Sequence, residues 1–169
     1  MYKVFDPKQT NQLFLLRNGW LDPNYELTDR TFNYGRLSYN WLSRRTAAAE
    51  SAEHNWLFKL GFIFSRSITI TDENGALIGE TYRPFLSRTT TLTLQSGFRA
   101  DFYRPYFLSR EYVWEAEGYG MVLRMKSYPF LFKDDIYIEQ SMTPPAFIPL
   151  LIFLGAHLNI LRRRRRAAR

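Results

Sequence analysis

Apolar and polar residues alternate with a period of two over much of this chain, the pattern of half-buried strands. The clearest case lies in 67–82. Ile68 and Ile70 alternate with Thr69 and Thr71, Asp72-Glu-Asn-Gly75 supplies turn residues, and Leu77 and Ile78 begin the return. This predicts a β-hairpin. Residues 89–95 alternate over Leu92 and Leu94, turn at Ser96-Gly97 and run back along 98–103. Residues 111–117 read as a strand that Gly118-Tyr-Gly120 turns into 121–126. Segments 130–133 and 136–139 read as strands flanking a turn at Asp134-Asp135. Nearer the N-terminus, 13–16, 25–28 and 37–41 are further strands. Tyr25-Glu-Leu-Thr-Asp29 and Ile68-Thr-Ile-Thr-Asp72 share an apolar-x-apolar-Thr-Asp core, which suggests a hairpin used more than once. Together these segments predict roughly ten to twelve short strands, at the close spacing of a barrel or sandwich.

Two stretches break the period. Residues 41–56 are rich in Ala and Glu and predict a short surface helix or an exposed excursion between strands. Residues 145–161 hold no formal charge. Pro149 there suits a first helical turn, so the spacing predicts a helix over 149–161 that is apolar nearly all round. Such a helix must be buried on every side, and a sheet wrapped around it is one host. A membrane is the other: 145–161 as a straight helix would span about 25 Å, somewhat short of a hydrocarbon core of about 30 Å. The sequence thus leaves open a barrel core or a tail anchor, with the arginines that follow as a positive-inside flank.

Composition narrows the partners. The 169 residues carry a formal charge of +7, but six of the 23 Lys and Arg residues lie in 162–169. Without them, 17 basic residues stand against 16 acidic ones, so the body of the chain is nearly neutral. A nucleic-acid-binding domain usually spreads its basic residues over a face, so nucleic acid is not the expected partner. The zero cysteine count excludes disulfides, thiolate zinc sites and Cys nucleophiles, and fits a reducing compartment. The N-terminus has no long apolar run of the kind a secretory signal needs. The expected organisation is one domain over 1–161, including the helix at 149–161, and an arginine-rich tail over 162–169.

Ile68-Thr-Ile-Thr-Asp72-x-x-Gly75-x-Leu-Ile-Gly79, its looser copy Trp114-Glu-Ala-Glu-Gly118-Tyr-Gly-Met-Val-Leu123, and the apolar helix at the chain's end carry a resemblance. The chain resembles the tubby C-terminal-like superfamily, which includes the LURP-one-related proteins and the phospholipid scramblases. The resemblance is architectural. It implies a mainly β fold, an antiparallel many-stranded barrel enclosing a C-terminal hydrophobic helix. It also implies a link to membrane lipid, since tubby domains bind phosphoinositides through basic surface residues. No specific lipid-binding residue carries over by motif, and the arginine tail is not a recognised family feature.

Signals for catalysis are thin. His54 and His157 have no metal-ligand spacing around them, and His157 reads as a polar group near the helix end, satisfied locally or by water. Asp72-Glu-Asn-Gly75 lacks the full calcium-loop pattern. Glu115 and Glu117 would share a strand face roughly 7 Å apart, which is acid/base spacing but more simply a solvent face. Nucleophile elbows and phosphate loops are missing. The chain is therefore expected to be a non-enzymatic lipid- or protein-interaction module at an anionic membrane surface, without a cofactor, cytoplasmic or membrane-associated. The alternative is a tail-anchored protein with a cytoplasmic β domain. Residues 82–88 and 98–110 interleave rings with cations and repeat Arg-Pro-aromatic steps. They suit either ring-stacked strand connections or a binding surface. The anion- or lipid-binding candidates are Arg162, Arg163, Arg164, Arg165 and Arg166, with Arg99 and Arg104.

Overall fold

The computed structural model describes residues 1–19, 23–40, 43–61, 66–128, 131–139 and 143–167. Trp41, Leu42, Phe130 and Arg169, which figure in the sequence reading, lie outside them. Among the described residues twelve strands form a closed antiparallel barrel in which each strand pairs with its neighbours in sequence. They are β1 (Gln12–Asn18), β2 (Asn24–Thr28), β3 (Asn33–Asn40), β4 (Ser43–Ser51), β5 (Asn55–Leu60) and β6 (Ile68–Asp72). The second half comprises β7 (Leu77–Tyr82), β8 (Thr90–Leu94), β9 (Arg99–Tyr103), β10 (Glu111–Ala116), β11 (Gly120–Tyr128) and β12 (Lys133–Ile138). Pairing of β1 with β12, Leu13 opposite Ile136, closes the barrel, so that among the described residues no sheet edge is left free.

The lumen is filled by one helix, α1 (Phe147–Ala167), whose residues from Ile148 to Leu161 are all buried. Period-two side chains from the wall meet it: Phe58, Ile68, Ile70, Leu92, Phe102, Trp114, Leu123 and Ile136 are all essentially inaccessible. The helix enters between tight turns, with Phe147 N donating to Pro144 O at 3.0 Å and Ile148 N to Pro145 O at 3.1 Å. Pro149 falls in the first turn, where its missing N–H leaves nothing unpaired. Among the described residues no helix is long and apolar enough to cross a membrane. The apolar surface of 148–161, which left a membrane anchor open, is spent against the barrel wall.

Close approach sets where the small residues lie. A Cβ on Gly155 would come within 2.6 Å of Met125 Sδ and 2.8 Å of Trp114 Nε1, so only glycine lets the helix sit this near β10 and β11. Gly35 on β3 plays the corresponding part against the Phe153 ring.

Three expectations are corrected. The Ala-rich segment is neither a helix nor an excursion: it forms β4 and the start of β5, with Ala47 and Ala49 buried against the lumen. Alanine is the small inward residue needed where wall and helix come close, so tertiary context overrides helix propensity. Asp134 and Asp135 are not a turn but lie within β12, both buried. Asp134 can sit there because Ser127 donates to its Oδ1 at 2.5 Å and Arg163 lies 3.6 Å away. Finally, α1 starts at Phe147 and continues through the arginines, so 162–167 are helix rather than a tail. At about 1.5 Å per residue, the 21 residues span about 31 Å, enough to carry the last turns to the barrel mouth.

Candidate functional site at the barrel mouth

The connections β5–β6, β7–β8 and β9–β10 all open at the end of the barrel where α1 terminates. Arg66 comes from the first of these, Arg83 and Arg88 from loop 83–89, and Arg104 from loop 104–110. Arg162, Arg165 and Arg166 come from the last turns of the helix. These seven arginines line one cavity of about 330 Å³, together with Tyr106, Phe107 and Tyr112. Among the described residues no acidic side chain lines it. Among the described residues none of the seven takes part in an ion pair.

Four of the seven cations are held by hydrogen bonds. Arg162 Nη2 donates to Arg88 O at 3.3 Å and to Thr90 Oγ1 at 3.2 Å. Its guanidinium lies 5.2 Å from the centroids of both Phe102 and Tyr112. Arg104 Nη2 donates to the Tyr112 hydroxyl at 2.6 Å, and its Nη1 to Phe107 O at 3.1 Å. Arg66 Nη1 donates to Phe85 O at 2.5 Å and Arg83 Nε to Ser87 O at 2.8 Å. A guanidinium has five donors, so these bonds fix each group while leaving donors for a ligand.

The arginines also press on one another. Burial holds Arg162 below the ordinary arginine value, and Arg83 and Arg104 lower it further. Burial, then Arg66 and Arg165, do the same to Arg83. Burial, then Arg66, lower Arg165. A cavity lined by crowded like charges, some of them partly desolvated, is one that an anion would relieve.

The seven sequence candidates are divided among several places. Arg162, Arg165, Arg166 and Arg104 meet in the cavity. Arg163 points elsewhere, to Asp134 and Ser127. Arg164 lies 4.9 Å over the Tyr39 ring. Arg99 is at the opposite end of the barrel, in a cleft with Asp101, Glu115 and Glu117. There Glu115 is exposed and accepts a 2.7 Å hydrogen bond from the Tyr103 hydroxyl, while Glu117 sits in the β10–β11 turn rather than beside it on the strand. His157, expected near the helix end with local partners, is instead fully buried and shares a 2.7 Å hydrogen bond with the hydroxyl of Tyr39, 118 residues away. It stacks on Phe58 at 5.8 Å. Burial pushes its pKa down to about 3, so it is neutral.

Arg66, Arg83 and Arg88 were not among the candidates. A signal for the last two stands in the chain: Arg83-Pro-Phe-Leu-Ser-Arg88 and Arg104-Pro-Tyr-Phe-Leu-Ser-Arg110 are one motif with a single residue inserted. Nothing in the sequence around Arg66 marks it. Compared with family models, curated proteins and solved structures, the chain matches none.

Proposed function

We propose that this protein is a non-enzymatic binding module that holds anionic lipid at a membrane surface, using the arginine cavity at the barrel mouth. The observation that carries this reading is the convergence of seven arginines from four chain segments on one acid-free cavity. Guanidinium groups bind phosphate and carboxylate oxygens through paired N–H donors, and several around one volume suit a ligand with more than one negative charge. A twelve-strand barrel around a C-terminal apolar helix is also the architecture of the tubby-like families, and we read the chain as a member of that group on architecture alone. The membrane would be one that faces the cytoplasm, where anionic lipid is concentrated.

Co-sedimentation with vesicles tests this. The chain should bind phosphatidylcholine vesicles containing phosphatidylserine and leave pure phosphatidylcholine in solution, with binding weakening as salt rises. Arg165→Gln with Arg166→Gln, both exposed, should reduce binding without unfolding the barrel. Equal binding to neutral and anionic vesicles would remove the proposal.

A further inference from the structure

The two copies of the Arg-Pro-aromatic-Leu-Ser-Arg motif fold alike. In each, the leading arginine donates to a carbonyl of its own loop, Arg83 to Ser87 O and Arg104 to Phe107 O. Each closes a turn, Ser87 N to Pro84 O at 3.2 Å and Ser109 N to Tyr106 O at 3.1 Å. Each ends on a serine whose Oγ accepts the N–H two residues on, Thr89 at 3.0 Å and Glu111 at 2.9 Å. What these twin turns present outward is apolar: Phe85, Leu86, Tyr106, Phe107 and Leu108 are between 69% and 90% exposed. A tight turn has no need of such residues, and polar ones would fold as well. Exposed apolar clusters on a protein surface mark contact sites.

Cations stand against the rings of the tips. The Arg66 guanidinium lies 4.9 Å from the Phe85 ring, and Arg88 of one loop lies 4.9 Å from Phe107 of the other. The mouth therefore combines exposed apolar tips with guanidiniums against their rings and a cavity that, among the described residues, no acidic side chain lines. A bilayer surface offers partners for both, an acyl region and a phosphate layer, with aromatic rings favoured between them. An apolar groove for a folded partner would be concave, whereas these apolar residues are highly exposed turn residues bordering a cavity lined by guanidiniums.

We infer that loops 83–89 and 104–110 are twin membrane wedges, which insert Phe85-Leu86 and Tyr106-Phe107-Leu108 into the interfacial region of an anionic bilayer while the arginines beside them take the lipid phosphates. This rests on the reading of the cavity as an anionic-lipid site and adds the docking surface and its orientation.

The chain has no cysteine, so single cysteines carrying an environment-sensitive fluorophore can be placed in the full-length protein. Leu86→Cys and Leu108→Cys should shift to the blue on vesicles of phosphatidylcholine and phosphatidylserine, and be quenched by lipid-borne nitroxide. Leu77→Cys, at the opposite barrel end, should do neither. Leu86→Asp with Leu108→Asp should lower vesicle affinity about tenfold or more while keeping the thermal stabilisation conferred by inorganic tripolyphosphate. Vesicle binding without a probe shift, or undiminished in the aspartate variant, would overturn the wedges alone. A probe shift that depends on protein concentration and needs no vesicle would mark contact between copies of the chain and overturn them too. Loss of both tripolyphosphate stabilisation and vesicle binding in the wild-type chain would instead sink the cavity reading beneath them.

Discussion

The guanidinium of Arg162 lies 5.2 Å from the centroid of Tyr112, whose hydroxyl accepts a hydrogen bond from Arg104 at 2.6 Å. One ring on β10 thus seats a cation from the end of the helix and orients another from a loop. Core and the proposed binding surface share a side chain here: Tyr112 also stacks on Phe102 at 5.3 Å, within the wall that packs the helix. Tyr112→Phe keeps the stack and removes the acceptor. It should leave the melting temperature within about 2–4 °C of wild type and weaken anion binding, since Arg104 keeps its bond to Phe107 O but loses the one that sets its other nitrogen. Calorimetric titration beside a thermal melt separates the two effects.

The helix should be indispensable to the barrel. Deleting 145–169 exposes the inward faces of the strands to a water-filled lumen, and every buried Leu, Ile or Phe of α1 represents about 1.5–3 kcal/mol of lost burial. The truncated chain should show no cooperative melt by circular dichroism. A melt like that of the full chain would contradict the enclosed-helix account.

Gly155 is expected to tolerate nothing larger. Gly155→Val would drive its side chain into Trp114 and Met125 and should destabilise by at least about 2 kcal/mol by denaturant unfolding, despite glycine's own cost in a helix. Gly75, in a turn with open space around it, makes the comparison. There Gly75→Asn should cost far less, because asparagine accepts the positive φ of 81°.

His157 should make stability pH-dependent. Its pKa is about 3 in the folded chain and about 6.5 in the unfolded one, so between these values only the unfolded state takes the proton. Stability from this group is therefore complete above pH 6.5 and is lost as pH falls toward 3. The slope is about 1.4 kcal/mol per pH unit. Between pH 7 and pH 5 wild type should lose about 2 kcal/mol more than His157→Phe, which keeps a ring against Phe58 and cannot titrate. Equal pH dependence in the two chains would show that the imidazole takes a proton without unfolding.

Much of the architecture was legible because strands and helix announce themselves by different periods. Ile68 and Ile70 against Thr69 and Thr71, and an uncharged run ending at Leu161, are local signals that the fold obeys. Both Asp29 and Asp72, the ends of the echoed motif, accept turn N–H groups through Oδ1, so the echo is a repeated local structure. What misled was tertiary. Ala47 and Ala49 are small because a helix lies against them, and Asp134 is buried because Arg163 arrives from the far end of the chain. Neither cause lies within a window around the residue. The site follows the same rule. Arg162, Arg165 and Arg166 stood out as a run, but Arg66 is drawn to them only by closure of the barrel. A helix also deals successive residues to different sides, which is why Arg163 and Arg164 leave the cavity.

The crowding of guanidiniums should itself be measurable. Arg165→Gln removes a cation that Arg66 opposes, and no ion pair is lost with it. In low salt this variant should melt at or above the wild-type temperature, by up to about 1 kcal/mol, with the difference shrinking as salt screens the charges. A lower melting temperature at low salt would mean that Arg165 stabilises the fold.

Titration calorimetry of inorganic tripolyphosphate into the full-length chain at low salt bears most directly on the central claim, that the seven arginines form a single anion site. The structure predicts saturable binding at one site per chain, abolished in a chain carrying Arg66→Gln, Arg83→Gln and Arg165→Gln that still melts cooperatively. Heats that do not saturate, or a triple variant that binds as wild type does, would contradict it.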